Sequence, residues 1–438
     1  MDERKNKTVK RFFLKRRSIR ILIWSFLHAL ILIILTFIEL KFPFTTDEEM
    51  KMIQWTSGIK HKLLRQQAPD TNKFLFVCLS WDKMMVPKID NNGFEIGNEI
   101  ITDRSKLAKF LQLINNNPNN HKFLILDVRF EEKFKTFKQN DDSLINIKYK
   151  QLIFNDDLLE NQLDKTKNYL VSYHKDSKDS LMLPALKAKT GLSDYETTDD
   201  GTIVKFAVVQ ADTARTTPLL MYQSLYKKKF SKGILFDRMD GKPIFNSFIL
   251  DYRIIVDQNN YKNFHHAYLG EMVNYPQELF DELTKNRIII VGDFEDRDIH
   301  QTIYGDMPGS IILLNAFLAL ENMDNKITIG FIIWLLIGYS FVSYQCFSDQ
   351  NLVKNFIVSH LPFGEEIKSV VGEFLDYLLI FIVLSVISYY LFNIHLTILL
   401  LAIYMQVLDW IIGFIRKRRE EKSAIKVGKN QISEEPQV

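Results

Sequence analysis

The sequence predicts an α/β extracytoplasmic domain, a mixed sheet with flanking helices, carried on four transmembrane α-helices. One of these helices is N-terminal and three are C-terminal. Three observations predict this. A basic cluster, Lys5 to Arg20, runs straight into an apolar stretch from Ile21 to Leu40. Three more such stretches crowd the last quarter of the chain. Between them, strand-like and helix-like segments alternate, which is the pattern of an α/β fold.

The first stretch, 21–40, has about 20 residues, the length that crosses a bilayer core. A signal peptide has a shorter apolar region, about 7–15 residues, followed by a small-residue cleavage site. Here Glu39-Leu40-Lys41-Phe42-Pro43 follow instead, so the stretch reads as an uncleaved anchor. Residues 45–67 read as an amphipathic helix opening a large domain, 41–326. Its candidate strands are 74–80, 123–128, 169–173, 203–209 and 287–292, short apolar runs rich in Val, Ile and Phe. Its candidate helices are 105–115, 217–228, 277–285 and 309–322, with Pro308-Gly309 as a start signal for the last. Further spans follow at 327–347, 371–392 and 396–415. The last two are joined only by Asn393-Ile394-His395 and so form a helical hairpin.

Orientation follows from the positive charges that flank the spans. Lys10, Arg11, Lys15, Arg16, Arg17 and Arg20 precede the first span, and Arg416, Lys417, Arg418 and Arg419 follow the fourth. Both termini are therefore expected in the cytoplasm, which an even number of spans permits. The segments 1–20, 348–370 and 416–438 are then cytoplasmic, and 41–326 lies on the other side. The richness in Lys, Asn and Ile fits an AT-rich bacterial genome, so the expected location is a bacterial inner membrane with the large domain in the periplasm.

A net charge of +3 gives no reason to expect nucleic acid as a partner. Cys78 and Cys346 are expected in different compartments, so no disulfide is predicted. No phosphate-binding glycine loop, His-Glu-x-x-His, paired-cysteine spacing or Gly-x-Ser-x-Gly elbow is present. No catalytic residue, cofactor or metal site is therefore expected, and the chain is not read as an enzyme. After the last span, residues 416–438 read as a polar, unstructured tail too short for an output domain.

One loop, Gly292 to His300, gathers Asp293, Glu295, Asp296, Asp298 and His300 after a strand. Oxygen-rich loops can hold a hard cation, but this spacing fits no calcium loop. A solvated acidic loop, partly neutralised by Arg297, is the reading preferred over a metal site. Strand ends in open α/β sheets often bind ligands. Asp82, Asp127, Arg129, Asp293 and Asp298 are therefore the candidate ligand contacts, and Asp127 with Arg129 is also read as a structural hydrogen-bonded pair.

The large domain resembles a CHASE2 domain, the extracytoplasmic sensory module of bacterial transmembrane receptors. The resemblance rests on an ordered set of segments. "KFLFVCLSWDK" stands for the first strand, with Asp82 after it, and "HKFLILDVRFEE" for the second core strand, with Asp127. "GLSDYETTDDGTIVKF" carries Gly191, Asp200, Gly201 and Lys205. "NRIIIVGDFEDRD" carries Gly292 and Asp298, and "MPGSIILLNAFLAL" carries Met307, Pro308, Gly309 and Asn315. One helix before the domain and three after it also match the family layout. The family's Trp-Pro-aromatic segment after the first strand and the histidine of its final helix are absent here.

Ionisable residues inside the spans are costly and usually face the bundle interior. His28, Asp376 and Asp409 lie roughly 7–11 Å in from the cytoplasmic ends at 1.5 Å per residue, and Glu373 lies at roughly 3 Å. They are expected either to form a polar network inside the bundle, among themselves or with a partner's basic residue, or to reach the interface beside Arg416 and Lys417. For Glu373 the interface is preferred.

The resemblance and the layout imply a membrane sensor or binding protein without its own catalytic output, relaying a signal to a protein partner. The alternative is a structural or docking subunit of a multi-protein envelope complex. A second copy of this chain is one candidate partner. A transporter reading is weak, since no span is broken.

Overall fold

The structure is a computed structural model. It describes residues 2–41, 47–64, 69–89, 95–128, 130, 144–174, 189–210, 214–234, 236–256, 263–295, 297–348 and 365–432. The chain divides into two compact units, Pro43–Lys326 and the remainder, Met1–Phe42 with Ile327–Val438.

The first unit is built on a six-stranded sheet. In spatial order its strands are His265–Tyr268, Phe74–Cys78, Ile288–Gly292, Phe123–Leu126, Tyr169–Tyr173 and Thr190–Leu192. Every pairing is parallel. Parallel sheets are covered on both faces, so their inner strands read as continuous apolar runs. FLFVC, IIIVG and FLIL are such runs, and all of their side chains are buried. Alternate residues serve opposite cores. Phe74, Phe76, Ile125 and Ile290 meet Leu219, Ile312 and Phe317 from helices Thr217–Tyr226 and Gly309–Glu321. Leu75, Val77, Leu124 and Val291 meet Leu107, Leu111, Leu159 and Phe280 from helices Arg104–Asn116, Leu144–Lys165 and Gln277–Thr284. A second, five-stranded sheet is formed around Ile203–Ala207.

The predicted strands and helices of this unit are all present, with ends shifted by a few residues. Residues 203–209 form two strands, Ile203–Ala207 and Val209–Gln210. Helix Asp47–Leu64 stands where the amphipathic helix is predicted. Several elements were not legible. Helix Leu144–Lys165 buries Asn155 and Asp156 beside Leu159 and Leu163, so its apolar stripe is interrupted. The hairpin of Lys83–Ile89 with Glu95–Thr102 carries Pro87 and Gly97, which weaken a strand signal. His265–Tyr268 and Thr190–Leu192 are short edge strands with little apolar content.

The second unit holds helices Asp2–Glu39, Ile329–Ser348, Glu365–Phe392 and Ile398–Ile432. Their stretches Ser18–Glu39, Ile329–Ser348, Val371–Phe392 and Ile398–Lys422 are long and apolar enough to cross a membrane. Gly338 lets the second and third helices approach, since a Cβ there would lie 2.7 Å from Leu384 Cδ2. In the turn of the hairpin, the Leu396 N–H donates to Ser385 Oγ at 2.9 Å, and Asn393 takes a left-handed φ of 61°. The tail corrects the sequence reading. The last helix continues to Ile432 instead of ending at the span, and 433–438 lie outside the described residues. Extending an existing helix adds one hydrogen bond per residue without a new nucleus, and Lys, Arg and Glu are good helix formers.

Candidate functional site

With every strand parallel, all C-terminal ends meet at one edge of the sheet. In spatial order that edge carries Tyr268, then Cys78 to Asp82, Gly292 to Glu295, Asp127, Tyr173-His174 and Leu192 to Asp194. The last strand of this sheet in chain order, Ile288–Gly292, is inserted between the first two, Phe74–Cys78 and Phe123–Leu126, so chain order breaks there. Such breaks are where open α/β sheets bind ligands. Asp82, Asp127, Asp293 and Asp298 all lie along or beside this edge. Arg129 lies outside the described residues, and so does its pairing with Asp127. Asp296 lies outside them too.

Asp82 and Asp293 are committed to holding the edge together. Asp82 accepts from Lys106 Nζ at 2.7 Å and from the Gly270 N–H at 2.9 Å. A Cβ on Gly270 would sit 2.7 Å from Asp82 Oδ1, so a larger residue there would push the Asp82 carboxylate aside. Asp293 accepts from Ser80 Oγ at 2.6 Å and pairs with Lys83. Glu295 accepts from Trp81 Nε1 at 2.8 Å and from the Tyr268 hydroxyl at 2.7 Å. The loop acids are thus engaged by neighbours rather than simply solvated. Among the described residues no group of three His, Cys, Asp or Glu side chains could hold a metal ion.

Asp127 and Asp298 differ. Ser310, in the first turn of helix Gly309–Glu321, donates to Asp127 Oδ2 at 2.6 Å. The Asp298 carboxylate lies against Gly309, where a Cβ would be 2.4 Å from Oδ2. His300 Nε2 is 2.9 Å from Asp298 Oδ1, and the Tyr195 hydroxyl donates to the Gly309 carbonyl at 2.6 Å. Only part of Asp127 meets solvent. Burial first, and then the negative charge of Asp298, push its carboxyl up to about 6. A helix N-terminus works the other way, but it contributes only about 0.3–1 kcal/mol. Burial and the second acid win. Tyr195, buried against the same two acids, is held well above its usual range. Further along, His174 Nδ1 lies 3.0 Å from Asp194 Oδ1. The arrangement makes the Asp127 carboxyl more reluctant to ionise than an ordinary acid, and it faces the first turn of a helix.

The family-like residues are largely structural. A Cβ on Gly191 would clash with the Thr217 backbone at 2.6 Å. Asp200 Oδ1 accepts from Thr198 Oγ1 and the Thr202 N–H, and Gly201 takes φ 84°, closing the turn into Ile203–Ala207. Lys205 pairs with Glu49 at 2.7 Å. Asn315, fully buried, accepts the Arg253 and Ile254 N–H groups and donates to the Ile254 carbonyl.

In the membrane unit, His28 is buried, with Nδ1 2.8 Å from Ser343 Oγ and Nε2 3.0 Å from the Tyr404 hydroxyl. Both ring nitrogens are taken by hydroxyls, so His28 itself pairs with neither Asp376 nor Asp409. A neutral imidazole needs one donor and one acceptor, and two hydroxyls can supply either. Asp409 meets the Tyr377 hydroxyl at 3.4 Å and Cys346 Sγ at 3.8 Å. Asp376 is fully buried and Glu373 half-buried. Arg416 donates to the Phe347 carbonyl at 2.8 Å.

Sequence reasoning missed Trp81, Tyr268, His174, Tyr195 and Ser310. Trp81 follows a predicted strand and was visible; Tyr268 sits on a strand with no legible signal.

No curated protein and no solved structure matches the chain. The family model of the CHASE2 domain matches residues 48–340, two thirds of the chain and all the edge residues named above. The ordered strands, the sheet edge they form and this match agree: the chain belongs to the CHASE2 family of sensory domains, here on a protein with four helices able to cross a membrane.

Proposed function

We propose that this protein is a multi-pass sensor of a bacterial inner membrane. Its CHASE2 domain lies in the periplasm and both termini are cytoplasmic. It binds its signal at the C-terminal edge of the six-stranded sheet and relays the change through its membrane helices to a partner protein. No residue is assigned a catalytic role. The basic clusters flanking the first and fourth spans support the orientation.

One observation carries the reading. The facing acids Asp127 and Asp298 sit at the first turn of helix Gly309–Glu321, and the chain runs on from that helix through residues 322–328 into the membrane helix Ile329–Ser348. A signal that favours one charge state of this pair acts on the helix leading to the membrane. It shifts the equilibrium only as far as it binds the two states differently.

Hydrogen–deuterium exchange on the full chain in lipid nanodiscs tests the relay. Asp127→Asn is expected to alter uptake in residues 329–348 as well as near the edge. Changes confined to the outer domain would sink the relay. A second reading, a docking subunit of an envelope complex, is favoured by the exposed apolar residues Met85, Ile96 and Ile100 on the hairpin. Purification in mild detergent with mass spectrometry separates the two. A kinase or cyclase partner supports the sensor, and a stoichiometric structural partner supports the docking subunit.

A further inference from the structure

Tyr268 ends its strand level with Cys78, and Cys78 is level with Gly292 across the central pairing. Trp81 lies three residues beyond Cys78, and Glu295 three residues beyond Gly292. The fold thus brings two aromatic rings and a carboxylate together at one end of the sheet edge. Each oxygen of Glu295 takes one aromatic donor, Oε2 from Trp81 and Oε1 from Tyr268. A carboxylate has about four acceptor positions, so each oxygen retains one.

Charge separates Glu295 from its neighbours. Asp82 is paired with Lys106 and Asp293 with Lys83. Among the described residues no cation pairs with Glu295. The Trp81 ring is also unusually open. Trp81 is 76% exposed, although burying an indole is among the larger apolar gains a side chain offers. Its N–H is anchored on Glu295, so the exposed ring is held in place rather than left to swing. Tyr268 is anchored in the same way, and its hydrogen bond to Glu295 holds its phenol above the usual range.

A fixed carboxylate with open acceptor positions, flanked by anchored aromatic rings, is the chemistry that recognises an organic cation. The carboxylate supplies charge-assisted hydrogen bonds or a counter-charge, and the ring faces supply cation–π attraction of about 0.5–2 kcal/mol. A sugar would also stack on an open indole, but it would make no use of an unpaired charge. We propose that Trp81, Tyr268 and Glu295 form a binding site for a small organic ammonium ion at the sensing edge of this domain. The proposal names the ligand class of the edge assigned above and rests on that reading.

Isothermal titration of the full chain in detergent tests it, with choline and spermidine as probes and 3,3-dimethylbutan-1-ol as the uncharged isostere of choline. At least one cation is expected to bind saturably in the low millimolar range or below, with the isostere roughly tenfold weaker or more. Glu295→Gln and Trp81→Ala, checked for unchanged thermal unfolding, are each expected to weaken the cation by roughly tenfold. Equal binding of choline and its isostere, or no saturable binding of either cation, overturns the proposal without using any variant. Cation binding unchanged in Glu295→Gln overturns it as well. Failure of both cations while Asp127→Asn still alters uptake in residues 329–348 removes the ligand class and leaves the sensing edge standing.

Discussion

Asp127 is a carboxyl that the fold makes reluctant to ionise. Its position after a core strand made it legible as a candidate. Its meaning came from Asp298 and Ser310, which lie far along the chain and reach it only through the fold. The raised pKa has a thermodynamic sign. The folded chain holds this proton up to about pH 6, whereas an unfolded carboxyl releases it near 3.8. Between those values the folded state binds more protons, so the stability this group contributes is present at low pH and is lost as pH rises through about 6. Asp127→Asn removes the charge and keeps the size. It should raise the thermal midpoint of the unit Pro43–Lys326 at alkaline pH and leave it nearly unchanged below the ordinary carboxylate range. An equal effect at every pH, followed by thermal unfolding across a pH series, would remove the account given for this carboxyl.

At the scale of elements, the helix pair Arg104–Asn116 and Leu144–Lys165 is joined by an ion pair with almost no solvent contact. Arg104 Nη1 lies 2.6 Å from Asp156 Oδ1, with side chains 5% and 0% exposed. Removing one partner leaves a buried charge, which costs about 3–5 kcal/mol. Asp156→Ala should lower the unfolding free energy of the unit Pro43–Lys326 by that amount in urea. The double change Arg104→Met with Asp156→Leu should recover most of it, because replacing a buried pair with apolar groups is often neutral. A double variant as unstable as the single one would show that the pair is not the cause. The same residues explain why this helix was not legible. Sequence periodicity treats Asp156 as a surface position, and only the arrival of Arg104 makes it a core one.

At the scale of the whole molecule, the two units use polar groups under different rules. In the unit Pro43–Lys326, the buried acids Asp156, Asp251 and Glu49 meet an arginine or a lysine. In the membrane unit, His28 meets hydroxyls of Ser343 and Tyr404, and Thr36 meets the Tyr339 hydroxyl at 2.7 Å. Hydrogen bonds between membrane helices contribute about 0.6 kcal/mol on average and up to about 1.7. His28→Ala strands two hydroxyls and should lower the resistance of the helix bundle to SDS by roughly 1–2 kcal/mol. The urea midpoint of the unit Pro43–Lys326 should stay unchanged. Loss of that unit's stability in the same variant would contradict the assignment of this contact to the four long apolar helices alone.

The sequence by itself determined the four helices long and apolar enough to span a membrane, the positions of the core strands along the chain and the acidic strand ends, because each of those signals is local. An apolar run of the right length needs no partner to be read, nor does a Val- and Ile-rich strand. Only the tertiary structure decided which acids stay charged, which hold a proton and which stand beside aromatic rings. Inserting Ile288–Gly292 between the first and second strands brings Asp293 and Glu295 to the residues that follow Cys78, and Asp298 to Asp127. Burial, opposite charge and like charge act over a few ångströms, and separation along the chain does not reveal those distances.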